Sequence, residues 1–430
     1  MATQDATIAL RRFGLGARPG EAARLGNDAR AFVLAQLDQR QAALVTGPLG
    51  TGESILAEVQ RAQLELRERR RNEKVRQAAE AKTAAAVGMD QQTPAGRPGG
   101  GDQVAGGPAS GGAMAKGDAV APVPEPKPGR LLREAFVADA EARILHSAGT
   151  DAPFLERLVL FWSNHFAVSA TKGPVRGIAG AFEREAIRPY VLGRFGDMLK
   201  AVAQHPAMLI YLDNAQSTGP SSIVGKRRAS GLNENLAREI MELRTLGVDG
   251  GYTQEDVTGL ARLLTGWTVG QVRQPRAFFF AEPRHEPGGA TVLGRKYGQG
   301  GITEGEAALA DLSRHPATAR HIARKIAGHF VADTPPPALV ARLEATFRET
   351  DGDLSALART LVSSPEAWDA RQAKIVPPYD YLISLARGFA ALEPPMQVHR
   401  LATALGQSTW APPSPKGWPD EDDAWTSPAA

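Results

Sequence analysis

No Phe, Tyr or Trp occurs between Phe32 and Phe136. A stretch that long without aromatic side chains is not expected to build an ordinary core. Within it, residues 83–129 are rich in Gly, Ala and Pro and end in "APVPEPKPGR". Such a segment cannot bury enough apolar area to offset its ordering entropy, so a disordered insert is expected there. Residues 53–82 ahead of it carry a helical pattern with a thin apolar stripe of Ile55, Val59, Ala62, Leu66 and Val75. The Arg69-Arg70-Arg71 run on that helix reads as a solvated face extending from the body. Helical pattern resumes at "LLREAFVADAEARILHS", so the insert is expected to interrupt a helical hairpin. Three regions follow from this reading. Residues 1–82 are N-terminal helices with a long basic helix, 83–129 the insert, and 130–430 the main helical body, with 1–50 packed on it as one domain.

The fold class predicted is mainly α: a multi-helix domain with a small β-hairpin-like patch near 276–294. "AFFFAEP" and "ATVLG" supply the β-like runs, on either side of the loop "RHEPGG". Helix starts are legible. Thr253 and Asp256 have near capping-box spacing, and Pro206 and Pro316 follow histidines at first-turn positions. Hydrophobic residues make up 43% of the chain, enough for a core. The net charge of +3 is too small for a nucleic-acid footprint, so no specific nucleic-acid partner is expected. The chain contains no Cys, which excludes disulfides, thiolate catalysis and Cys-based zinc sites. No run of 18 apolar residues exists, so no membrane span is expected. Arg11-Arg12 lacks the apolar stretch that an export signal needs after it. A cytoplasmic location is expected, with export beside a signal-bearing partner as the alternative.

Familiar motifs fail on inspection. "GPSSIVGKR" has the wrong spacing for a phosphate loop and Arg227 where Ser or Thr belongs. Two constellations remain. In a regular helix from Asn233 to Leu246, Leu236, Ala237, Ile240, Met241 and Leu243 share one face, while Glu234, Asn235, Arg238, Glu239 and Glu242 fill the other. That second face is either a solvated surface laced by Glu–Arg pairs or a carboxylate–Arg platform lining a cleft. The second constellation is His165 in "FWSNHF", which continues the apolar stripe of Phe154, Leu158 and Phe161, with Asn164 beside it. His285 sits in a Gly/Pro loop. His165, Glu234, Arg238, Glu239, Glu242 and His285 are therefore the candidate catalytic residues. The residues do not specify a cofactor; if a divalent metal is bound, His165, Glu239 and His285 are its candidate ligands.

The blocks "RRFGLGARPGE", "FWSNHFAVS", "GLNENLAREIMELRTLGVDGGYTQEDVTGLARLLTGW", "RHEPGGATVLG", "HPATARHIARKIAGHFVAD" and "PPSPKGWP" occur in that order. Together they resemble the bacterial domain-of-unknown-function family numbered 1800. The resemblance implies a polar pattern that includes Asn164-His165, Asp213, Asn233-Glu234-Asn235, Arg238, Glu239, Glu242, Trp267 and His285. Arg244 departs from that pattern and is given no ligand role. The resemblance also implies a neighbour, an alkaline-phosphatase-like protein of the family numbered 1501. Two functions are carried forward. One is a hydrolase or transferase-like enzyme using a carboxylate/His acid–base pair, with a metal or without one. The other is a non-catalytic partner subunit of the phosphatase-like neighbour. Finally, Ser427-Pro428 reads as a helix start at the end of the sequence, and Trp410, Trp418 and Trp425 are expected on the surface that such a helix would cover.

Overall fold

Short polar caps and first-turn prolines divide the chain into many helices of modest length. Thr253 and Asp256 form a reciprocal capping box that opens Gln254–Leu263. Asp353 accepts from the Ala356 N–H at 2.8 Å to open Leu354–Ser363. His205 and His315 do the same with imidazoles. Each Nδ1 accepts from the amide two residues on, at 3.1 and 3.2 Å, ahead of helices Pro206–Tyr211 and Pro316–Phe330. Each cap satisfies an amide that the helix itself leaves without a partner.

The computed structural model describes residues 3–25, 28–89, 127–228, 231–270, 277–298, 300–371, 374–390 and 394–426. It is mainly α-helical. The helix Gly52–Met89 packs against Pro128–Gly149 through its first turns, where Ile55, Leu56, Val59 and Ala62 are buried. From Arg67 to Lys82 its side chains are exposed. Helix continues past the expected start of the insert as far as Met89, in keeping with the alanine-rich run 84–86. Pro128 already occupies a first helical turn on the far side. The rest of the expected insert, 90–126, lies outside the described residues, as do Ser427 and Pro428.

The helix Pro153–His165 runs through the centre of the core. Phe154, Leu155, Leu158, Val159, Phe161, Trp162 and His165 along it are all buried, as expected of a helix apolar on nearly every side. One core cluster extends from Ile8 through Phe154, Phe195 and Phe330 to Trp410. Beside it lies a buried ion network. Arg188 uses all five of its donors on Glu156, Glu183 and the Ala43 carbonyl, at 2.8–3.1 Å.

The β-like patch is real, but its pairing differs from a single hairpin. Phe279–Phe280 pairs with Trp267–Thr268, and Ala290–Val292 pairs with Arg295–Tyr297, both antiparallel. The second pair turns at Leu293-Gly294, whose φ angles of 49° and 74° suit the tight turns that match strand twist. "ATVLGRKY" is thus a hairpin by itself and does not need "AFFFAEP". Among the described residues, no helix is long and apolar enough to cross a membrane.

Candidate active site

The polar helix that begins near Asn233 is not regular. It is α-helical over Asn235–Glu239 and then opens into a π turn over Ile240–Arg244. A π turn adds a residue to the ring, so the faces read from a 3.6-residue period shift beyond it. The six candidate residues consequently fall in different places. Glu234 and Arg238 pair at 3.1 Å on a partly exposed face, with Gln254 and Thr258 bonded to them. Glu239 points inward. Its Oε2 is buried without a hydrogen-bond partner, and burial raises its pKa while Arg244 opposes the rise. It lines a void of about 10 Å³ with Leu212, Ile240 and Arg244, room for roughly one water. Glu242 lines a cavity of about 760 Å³. His285 is elsewhere, with Nδ1 donating to the Thr265 carbonyl at 2.9 Å and Nε2 facing Glu304 at 3.3 Å. Those contacts fasten the loop it sits in.

His165 is almost fully buried. Its Nε2–H donates to the Arg244 carbonyl at 3.1 Å, and the Arg244 guanidinium donates back to the carbonyls of His165 and Ala167. His321 donates in the same way from Nε2 to the Leu243 carbonyl, at 3.1 Å. Two histidines therefore close the end of the π turn on successive carbonyls, their ring centroids 6.2 Å apart. Burial, reinforced by Lys325, Arg244 and His321, holds His165 far below the usual histidine pKa. Burial lowers His321 to about 4 and Arg244 to about 10. Glu239 and His165 thus flank Arg244 in a layer behind the cavity, while Glu234, Arg238 and His285 do not join them. His165, Glu239 and His285 have no shared ligand position. Among the described residues, no three His, Asp or Glu side chains gather as a metal-binding group.

The structure instead brings together residues the sequence reading did not select. Helix Pro316–Phe330 presents His321, Lys325 and His329 along one face, and all three line a cavity of about 760 Å³. The opposite wall is the C-terminal loop, with Lys416, Trp418, Asp420 and Glu421. This cavity and two smaller ones, of about 290 and 80 Å³, all reach His329 and Asp420. His329 Nδ1–H donates to Asp420 Oδ1 at 2.8 Å. That bond fixes the tautomer and leaves Nε2 as the acceptor nitrogen, which takes a long bond from Arg157 Nη2–H at 3.5 Å. Burial alone would raise the Asp420 carboxyl, but the His329 bond, with Lys325 and Lys374 nearby, brings it down to about 2. Lys325 makes no hydrogen bond or ion pair to any described residue. Burial lowers its pKa, Asp420 opposes that, and Arg244 and Lys416 add to it.

The loop is positioned by its backbone. Gly417 has φ +92°, and a Cβ there would meet the Asn164 carbonyl oxygen at 2.5 Å. The Lys374 ammonium bonds Asp333 and the Asp420 carbonyl. Trp410 is buried, donating Nε1–H to Glu183 at 2.9 Å, and Trp418 and Trp425 lie partly covered with ring centroids 6.2 Å apart. The expectation of a surface position fails for Trp410, which the loop takes into the core, while Trp418 and Trp425 keep part of their surface exposed. The signal that could have found this site is the four-residue spacing of His321, Lys325 and His329.

Fold and site together define a helical protein with a His–Asp pair at a meeting point of cavities. The chain belongs to the family described as "Protein of unknown function (DUF1800)", whose profile matches residues 8–430. No curated protein and no solved structure matches it.

Proposed function

We propose that this protein is a hydrolase or group-transfer enzyme working by acid–base catalysis in the cavity between helix Pro316–Phe330 and the C-terminal loop. The observation that carries this reading is the 2.8 Å His329–Asp420 bond where three cavities meet. His329 Nε2 takes the proton of an attacking water or hydroxyl and returns it to the leaving group. Asp420 holds the ring and stabilises the imidazolium. The Lys325 ammonium, without a fixed partner, opposes negative charge that develops on the substrate. Glu242 lines the same cavity. His165, Glu239 and Arg244 act from behind by fixing the π turn.

The test is turnover of p-nitrophenyl acetate, phosphate, sulfate and bis-p-nitrophenyl phosphate by the wild-type protein and by His329→Gln. Turnover of at least one ester is expected. His329→Gln should lower kcat by about 100-fold or more, the usual range for a general base, with an unchanged melting temperature. No turnover across the panel, or turnover indifferent to the substitution, would sink the proposal.

A separate observation favours a partner as well. On the neighbouring helices Pro378–Phe389 and Met396–Ala404, Tyr381 is 51% exposed, Phe389 76% and Leu401 43%; Leu405 just beyond is 48% exposed. Exposed apolar side chains gathered on two packed helices favour an interaction surface. The alkaline-phosphatase-like protein implied by the family resemblance is the partner we put forward for it. Co-purification of that protein with the wild type but not with Phe389→Glu is the expected result. Equal recovery with both would remove this surface from consideration.

A further inference from the structure

The 290 Å³ cavity shares His329, Lys374 and Asp420 with the large one but has a different character. Ile8, Phe330, Val376 and Pro377 give it apolar walls. Arg11, Arg12, Arg157 and Lys374 also line it, against Asp420 as the sole carboxylate among its described lining residues. That carboxylate is already bonded to His329. Arg157 is 7% exposed and paired with Asp380, yet its Nε remains buried without a partner. Arg12 donates to the Ala367 and Asp369 carbonyls, and burial lowers its pKa with Asp369 opposing. Arg11 makes no hydrogen bond or ion pair to any described residue. Arg157 and Lys374 already face Asp380 and Asp333, so Arg11, an exposed side chain of the lining, is the cation that an incoming anion would meet.

We propose that this recess binds a small organic anion, a carboxylate or phosphate monoester carried on an apolar body. The Arg11 side of the recess takes the charged head, and the wall of Ile8, Phe330 and Val376 takes the body. Size narrows the choice. An apolar cavity of about 150 Å³ holds benzene, so 290 Å³ suits a body of roughly eight to ten carbons. This goes beyond the proposed reaction: it is a second binding chamber that touches the His–Asp pair from another direction.

The experiment is isothermal titration calorimetry of the full chain with octanoate and octyl phosphate, and with 1-octanol as the neutral counterpart. Saturable one-to-one binding of at least one anion is expected, with 1-octanol at least tenfold weaker. Arg11→Glu should weaken the anion by at least tenfold. Ala370→Trp, at an exposed lining position, should abolish binding by filling the recess without disturbing the core. Lys325→Met, at a residue that lines the large cavity and not this recess, should keep anion affinity within about threefold while lowering ester turnover, so the chamber and the proposed reaction fail separately. No binding of either anion, equal binding of 1-octanol, or indifference to both Arg11→Glu and Ala370→Trp would overturn the assignment.

Discussion

Asn164 and Trp418 are joined by a reciprocal pair of hydrogen bonds. The Asn164 amide donates to the Trp418 carbonyl at 2.9 Å, and the Trp418 N–H donates to Asn164 Oδ1 at 2.7 Å. An amide side chain is suited to this because it offers a donor and an acceptor side by side. The pair sets the C-terminal loop, and Asp420 within it, against His329. Asn164→Asp keeps the shape but turns the donor into an acceptor facing a carbonyl. It should cost about 1–3 kcal/mol, the range for an uncompensated buried polar group. Thermal melting measures this, and ester turnover should fall with it. Gly417→Ala should produce a similar loss, since φ is +92° and the Asn164 backbone leaves no room. Unchanged melting in both variants would show that the loop is held some other way.

This pair also shows where sequence reading stops. Asn164 and Trp418 were each visible within quoted blocks, but nothing in a linear pattern links positions so far apart. The helices were legible because caps, first-turn prolines and apolar periodicity are local signals. The Leu293-Gly294 turn is equally local, yet a patch built from "AFFFAEP" and "ATVLG" leaves it unused. The candidate site was legible only in part. His165, Glu239 and Glu242 do cluster near Arg244 and the cavity, but the π turn broke the face on which Glu234 and Arg238 had been grouped with them. No residue between 240 and 244 advertises that turn, because it is imposed by tertiary contacts: the imidazoles of His165 and His321 on its last carbonyls, and Arg244 returning to the His165 carbonyl. Asp420 was missed for a related reason. An acid in "PDEDD" reads as solvated until the loop folds under Trp418.

The two imidazole caps predict a pH dependence of stability. Both histidines are held below the ordinary value of 6.5, His321 at about 4. The unfolded chain therefore binds protons below pH 6.5 that the folded chain does not yet accept. Stability is fully present above that pH and declines as pH falls toward 4. For His321 the loss is on the order of 3 kcal/mol. Melting temperatures between pH 7.5 and 4 should fall accordingly, and His321→Gln should flatten the slope, since its amide can still reach the Leu243 carbonyl. A slope that persists unchanged in the variant would assign the effect to other groups.

The Arg188 network gives a stability prediction independent of the site. Glu156, Glu183 and Arg188 are each about 1% exposed. Arg188→Met would leave two carboxylates buried together with only Arg143, 3.5 Å from Glu183, and His146, 3.3 Å from Glu156, beside them. About 3–5 kcal/mol should be lost, as when one member of a buried ion pair is removed. Urea denaturation measures it directly. Adding Glu156→Gln and Glu183→Gln should restore part of the loss by removing the stranded charges. A single variant within about 1 kcal/mol of wild type would contradict the network's role.

The last prediction concerns Lys325, whose amine faces the large cavity without a fixed partner. Burial lowers its pKa from 10.5, so at a given pH more of it is the free, nucleophilic amine than in an exposed lysine. Trace acetylation with acetic anhydride across a pH series, read by peptide mass spectrometry, should show a labelling midpoint for Lys325 below 10.5. Asp420 is the leading opposing charge, holding the ammonium form in place. Asp420→Asn should therefore move the midpoint lower still and speed labelling at pH 8. Access alone cannot produce that pattern, because a change in access scales the rate without shifting its midpoint. A Lys325 midpoint at or above 10.5, or one that rises in Asp420→Asn, would show that the amine is not coupled to Asp420 across the cavity.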